Sequence, residues 1–223
     1  MRYQPALLRV VPAQQALKTE SILPYDDIKP LILQAKSFEL IDCICRKQQD
    51  LVGKRKCGFP LRICLNFSNR ERPEGRYTIT QEEALKALDR AEEIGLVHSV
   101  SNAAKGLYFV CNCCGCCCAI LRGITQFGIE NSVARANYYA VVDPEQCVGC
   151  GTCEDRCQVN ACSVVNGVST IDLKKCIGCG ICVTGCSNEA VKLKLRPDAE
   201  IIHPPENYSA WEQERLRNRG LLK

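Results

Sequence analysis

The sequence predicts an α+β protein in two parts, a small cysteine-rich α+β unit over residues 1–140 and a compact repeat-built module over 141–196, with a tail over 197–223 that holds a short helix. Three observations carry this prediction. The 19 cysteines of the 223-residue chain fall into three groups, at 43–64, 111–118 and 147–186. A well-signalled helix lies between the first two groups, flanked by apolar runs of strand character. The last group is written twice, with the second copy offset from Cys147 to Cys176.

The elements of the first unit follow from local chemistry. Asp26 to Ala35 reads as a helix, because Ile28, Leu31, Ile32 and Ala35 share one face and Pro30 is tolerated in a first turn. Phe38 to Ile44 reads as a strand that delivers Cys43 and Cys45. Thr80-Gln-Glu-Glu83 is a capping box, with Thr80 as N-cap and Glu83 at the third helical position. Behind it Ala84, Leu85, Leu88, Ala91 and Ile94 keep helical spacing until Gly95 supplies the stop. Leu107 to Val110 reads as a short strand leading into the second cysteine group. In the tail, Trp211 to Arg219 reads as a short amphipathic surface helix.

Composition narrows the function. An odd number of cysteines excludes complete internal disulfide pairing, and 46% hydrophobic residues suffice for an ordinary core. The opening segment Met1–Pro12 lacks the apolar stretch of a signal peptide, and no run approaches the roughly 18 apolar residues of a membrane helix. These features predict a cytoplasmic protein without membrane insertion, in which thiols stay reduced. Reduced, clustered thiols point to metal ligation or redox chemistry. With only His98 and His203 available, any metal site must be built from thiolates. His98 follows an apolar turn and reads as a surface or packing histidine. The net charge of +4 comes without a stacking pattern of aromatics, so no nucleic-acid partner is expected. No glycine-rich phosphate loop is present, so neither flavin nor nicotinamide is indicated.

The repeat is the most informative feature. Cys147-x2-Cys150-x2-Cys153-x3-Cys157 maps onto Cys176-x2-Cys179-x2-Cys182-x3-Cys186, and Asp143, Gly149, Gly151 and Ala161 map onto Asp172, Gly178, Gly180 and Ala190. The spacing lets one tight loop wrap three irons of a cubane, with glycines supplying the backbone angles the wrap needs. At these residues, over about 141–196, the sequence resembles the bacterial-type two-cluster [4Fe-4S] ferredoxins. The resemblance implies that the fourth cysteine of each run ligates the other cluster. It thus implies Cys147, Cys150, Cys153 and Cys186 for one cluster, and Cys176, Cys179, Cys182 and Cys157 for the other, in a pseudo-twofold core. Gln158 and Ser187 stand where that family usually has proline. Cys162 aligns with Val191 and reads as a small buried hydrophobe.

The remaining ten cysteines are candidate metal ligands. Cys43, Cys45, Cys57 and Cys64 can complete a tetrahedral thiolate set, in the field of Arg46, Lys47, Lys54, Arg55, Lys56 and Arg62. An iron–sulfur cluster, zinc, or unligated thiols all fit. The second group, Cys111, Cys113, Cys114, Cys116, Cys117 and Cys118, exceeds the needs of one mononuclear site. Some of its members can complete the site begun by Cys43 and Cys45, and others can bind a further metal. Cys113-Cys114-Gly115 resembles the Cys-Cys-Gly signature of heterodisulfide-reductase-type subunits. Leu23-Pro-Tyr25, Cys43-x-Cys45-Arg46, Cys57, Cys64, Gly95-Leu-Val-His98 and the 111–118 group ahead of the repeat resemble a cysteine-rich group of iron–sulfur proteins of anaerobic prokaryotes. The expected function is electron transfer with redox partner proteins. The competing readings are a cluster-containing reductase subunit acting on a thiol or disulfide, and a redox or metal sensor.

Overall fold

The computed structural model describes residues 4–17 and 22–222; residues 1–3 and 18–21 of the first predicted unit and Lys223 of the tail lie outside them. In chain order the elements are β1 (Leu8–Val10), α1 (Lys29–Gln34), β2 (Ser37–Asp42), α2 (Ile44–Leu51), β3 (Arg62–Ser68), β4 (Thr78–Ile79), α3 (Gln81–Glu93), β5 (Val97–Ser101) and β6 (Phe109–Cys113). After α4 (Leu121–Thr125) come β7 (Tyr138–Val142), α5 (Thr152–Arg156), β8 (Cys162–Val165), β9 (Val168–Ile171), α6 (Ile181–Thr184), β10 (Val191–Leu195) and α7 (Tyr208–Asn218). The mixed α and β content agrees with the predicted class.

The first nine elements build a six-stranded sheet in the order β1-β5-β6-β3-β2-β4, with every named pairing antiparallel. α1 and α3 pack on it, and Ile28, Ile32, Phe38, Leu65, Leu88, Val100 and Val110 form the core between them. The capping box forms as expected: the Thr80 hydroxyl accepts from the Glu83 amide at 3.2 Å, and the Glu83 carboxylate accepts from the Thr80 amide at 2.8 Å. Gly95 then ends the region in the left-handed conformation, at φ 89°.

Two expectations shift. The strand expected to carry both Cys43 and Cys45 stops at Asp42, and α2 begins at once, so Cys45 stands in a helical first turn. Arg46 to Leu51 contains straight-chain residues that favour a helix, and Arg46 and Gln49 turn inward. The strand expected over Leu107–Val110 instead runs from Phe109 into the cysteine group and includes Cys111 and Cys113.

The repeat region is held by two hairpin-like pairs. β7 and β10, its first and last strands, pair antiparallel from Tyr138↔Leu195 to Val142↔Val191. β8 and β9 are joined through Asn166-Gly167, both at positive φ, as a two-residue hairpin turn requires. The core does not stop at residue 140. Val10, Val97 and Leu121 pack in one cluster with Ile177, Ile181 and Leu193. The tail helix α7 is fastened to the start of the chain, with Trp211 buried and its Nε1–H donating to the Ala6 carbonyl at 2.8 Å.

Because the core is shared, damage on one side must be felt on the other. Ile181→Ala is expected to cost about 2–5 kcal/mol. It should also lower hydrogen-exchange protection of the Val97 amide in β5. Unchanged protection at Val97 would show that the halves unfold separately.

Candidate metal centres

The two copies of the repeat adopt the same local geometry. Asp143 and Asp172 each accept a side-chain bond from the amide two residues on, Glu145 at 3.0 Å and Lys174 at 2.9 Å. Their carbonyls accept from the amides of Cys147 and Cys176, at 3.1 and 2.9 Å. Gly149 and Gly178 hold φ of 65° and 71°. A Cβ on Gly149 would stand 2.3 Å from the Gly167 carbonyl oxygen, and one on Gly178 would stand 2.2 Å from that of Tyr138. Both loops therefore need glycine for conformation and for space.

Each loop borders a cavity. One is lined by Cys147, Cys150, Cys153 and Cys186. The other is lined by Cys157, Cys162, Cys176, Cys179 and Cys182. The first cavity takes Cys186 from the second repeat, and the second takes Cys157 and Cys162 from the first. Sulfurs also receive backbone N–H groups: Ala161 donates to Cys157 at 3.1 Å and Ser169 to Cys147 at 3.4 Å. Interaction with the Cys162 thiol, with support from the amides of Val159 and Ala161, brings the Cys157 thiol down to about 6 despite burial. Cys162 is buried as expected, but it sits at the rim of the second cavity, against Cys157 and Cys182.

The ten earlier cysteines divide differently from the order in which they occur. Cys57 leaves Cys43, Cys45 and Cys64 and joins Cys114, Cys116 and Cys117, with all four sulfurs within 4.8 Å of one another. Four of the separations are 3.9 Å (Cys57–Cys114), 3.7 Å (Cys57–Cys117), 3.6 Å (Cys114–Cys116) and 3.5 Å (Cys116–Cys117). A tetrahedral ion with metal–sulfur bonds of about 2.3 Å sets its sulfurs about 3.8 Å apart. A cubane binds each sulfur to a different corner iron and spreads them farther. The four-thiol set therefore fits one metal ion. Burial pushes the Cys57 thiol up, but the Phe59 amide, the Cys116 and Cys117 thiols and Arg55 outweigh it and bring it down to about 7. That set has a thiolate within reach at neutral pH.

The other six form a second assembly. The structure brings Cys43, Cys45 and Cys64 together with Cys111, Cys113 and Cys118, and each thiol interacts with its neighbours. Arg46 lies between the two groups with 0% exposure. Its Nη1 donates to the Pro60 carbonyl at 3.2 Å and its Nη2 to that of Asn112 at 2.9 Å. Its Nε has no partner. Burial opposes its charge, yet Cys114, Cys43 and Cys64 more than offset that and hold its pKa above the ordinary value.

Sequence reasoning missed three participants. Asn112, between Cys111 and Cys113, donates to the Ile63 carbonyl at 2.5 Å, which turns its amide oxygen toward His98 Nδ1 at 2.6 Å. His98 Nε2 meets Glu92 Oε1 at 3.2 Å, and that oxygen also accepts from the Gln14 amide. His98 is thus buried and hydrogen-bonded, the packing alternative of its expectation and not the surface one. The available signal was Glu92, a charge one turn beyond Leu88 on the apolar face of α3. The third is Gln158, at the position of the expected proline. Its Oε1 accepts from the Gly115 amide at 2.8 Å and its Nε2 donates to the Gly95 carbonyl at 2.9 Å. Gly115 has no room for a Cβ, which would stand 2.0 Å from the Gln158 carbonyl oxygen. This contact fastens the Cys114–Cys117 loop to the residue following Cys157.

Residues 140–163 and 169–192 match the 4Fe-4S binding domain. The match falls on the two copies of the repeat and supports a ferredoxin-type iron–sulfur domain there. No curated protein matches the chain. No helix among the described residues is long and apolar enough to cross a membrane.

Gln158→Ala removes both side-chain hydrogen bonds to the neighbouring loops. Hydrogen exchange at the Gly115 amide is expected to rise about tenfold, the equivalent of about 1.4 kcal/mol. Exchange at the parent rate would show that the loop is held without Gln158.

Proposed function

We propose that the protein transfers single electrons through two [4Fe-4S] clusters, one held by Cys147, Cys150, Cys153 and Cys186 and the other by Cys157, Cys176, Cys179 and Cys182. The observation that carries this reading is the pair of cavities, each lined by the first three cysteines of one repeat and the fourth of the other, with Cys162 as a further wall of the second. When bound, such clusters supply one-electron redox centres whose potentials depend on charge, sulfur hydrogen bonds and solvent. The chain contributes the Ala161 and Ser169 amides to sulfurs and keeps the second cavity within the shared core. The first cavity reaches the surface at Val148 and Cys150, both exposed, and that rim is the contact point for a redox partner protein. Crossed ligation would tie the two repeats into one pseudo-twofold unit.

Cys57, Cys114, Cys116 and Cys117 hold a single tetrahedral ion in this reading, with zinc suited to four thiolates. A closed four-sulfur shell leaves no open position, so its role is structural. It would stiffen the loop that Gln158 docks.

Metal analysis of anaerobically prepared protein tests both statements by difference. The double variant Cys150→Ala/Cys179→Ala is expected to lose about eight irons per chain relative to the parent, together with the EPR signal of the reduced clusters. A much smaller iron loss overturns the two-cluster assignment. Cys57→Ala/Cys116→Ala is expected to lose about one zinc per chain while keeping that EPR signal. Unchanged zinc overturns the four-thiol ion site.

A further inference from the structure

The six cysteines left over by the four-thiol site and the repeat form a closed circuit. Cys43 interacts with Cys45 and Cys64, and Cys45 with Cys43 and Cys118. Cys118 interacts with Cys45 and Cys113, and Cys113 with Cys118 and Cys111. Cys111 interacts with Cys113 and Cys64, which closes the ring on Cys43. Strand register independently supports the closure. β3 and β6 pair as Leu65↔Val110, and one residue further in the same antiparallel register Cys64 faces Cys111. Cys113 is two residues along β6 from Cys111 and so on the same side of the strand. β2, the strand beside β3, ends next to Cys43.

A ring is not a mononuclear site. Among the described residues, the compact thiol set is Cys57, Cys114, Cys116 and Cys117, and the six ring cysteines are not part of it. Six thiols also exceed the four positions of one tetrahedral ion. Several metals joined by sulfide could hold them, since each thiolate would then bind its own corner. The charge points the same way. Arg46 is fully buried, its Nε is unpartnered, and its strongest charge partners are cysteine sulfurs of the two groups. A buried guanidinium facing both thiol groups suits an anionic, metal-bound sulfur set around it.

We infer that Cys43, Cys45, Cys64, Cys111, Cys113 and Cys118 bind a polynuclear iron–sulfur cluster, separate from the two of the repeat and from the four-thiol ion, with Arg46 as the cation between the two thiol groups. Loading would displace the thiol protons to solvent and bring iron and sulfide into the ring.

The test is anaerobic reconstitution of the full chain with sulfide and a mixture of ferrous and ferric iron, which supplies the iron valences such a cluster holds, followed by native mass spectrometry of the unmutated protein. An excess of roughly two to four irons, with sulfide, beyond two cubanes is expected. Cys64→Ser/Cys111→Ser should lose that excess and keep the EPR signal of the repeat and the zinc. Cys57→Ala/Cys116→Ala should keep the excess. No excess in the unmutated protein, an excess insensitive to the ring variant, or ring cysteines recovered as disulfides would each overturn the inference. Should the ring variant misfold by circular dichroism, the iron and sulfide count of the unmutated chain decides alone. Failure of the two-cluster reading is distinguishable, because Cys150→Ala/Cys179→Ala would then lose little iron whatever the ring holds.

Discussion

The burial of the Arg46 guanidinium is the constraint on which the cysteine-rich half depends. A cation with no exposed surface requires hydrogen-bond acceptors and negative charge, and the chain supplies the first with the carbonyls of Pro60 and Asn112. Those two acceptors pin the segment before β3 and the middle of the β6 cysteines around α2. The sulfurs of Cys114 on one side and of Cys43 and Cys64 on the other are its charge partners. One side chain therefore bridges both thiol groups, and its charge works against the upward shift of the Cys43 thiol.

The second organising contact is Gln158 against Gly115. In a two-cluster ferredoxin module, proline at this position would stiffen the turn but offer no side-chain hydrogen bonds. Glutamine trades that stiffness for two bonds to another part of the chain, at Gly115 and Gly95. Arg156, two residues earlier, does the same work at the end of α3, where it donates to the Glu92 and Glu93 carbonyls at 2.8 Å. The C-terminal end of α5 is thus held to the first half by two side chains, above a core that runs through both halves.

What the sequence made legible is what local chemistry encodes. The capping box at Thr80 and Glu83 and the glycine stop at Gly95 depend on residues three or four apart, and all appear in the structure. The paired loops at Gly149 and Gly178 were legible for a related reason: a repeat displays its own constraint twice. The partition of the first ten cysteines was not legible, because it depends on long-range pairing. Cys57 lies between Cys45 and Cys64 in the chain, yet the turn after α2 sends it to Cys114 and Cys117, while the β3–β6 register sends Cys64 to Cys111. Nothing near Cys57 in sequence announces that separation. Nor does the run of basic residues around it reveal that Arg46 alone is fully enclosed while its neighbour Lys47 is exposed.

Metal binding at the ring cysteines would couple to folding. The Cys64 thiol is held up to about 11 and that of Cys113 well above its ordinary value. Ligation must deprotonate those sulfurs, and each proton released leaves a charge that Arg46 partly balances. The formal charge of +4 also changes meaning, because it counts every thiol as neutral. Each thiolate-held cluster adds net negative charge, so the loaded protein is less basic than its composition implies. Of the basic residues around the first cysteines, Arg46 is enclosed and acts on sulfur, while Lys47, Lys54, Lys56 and Arg62 face solvent.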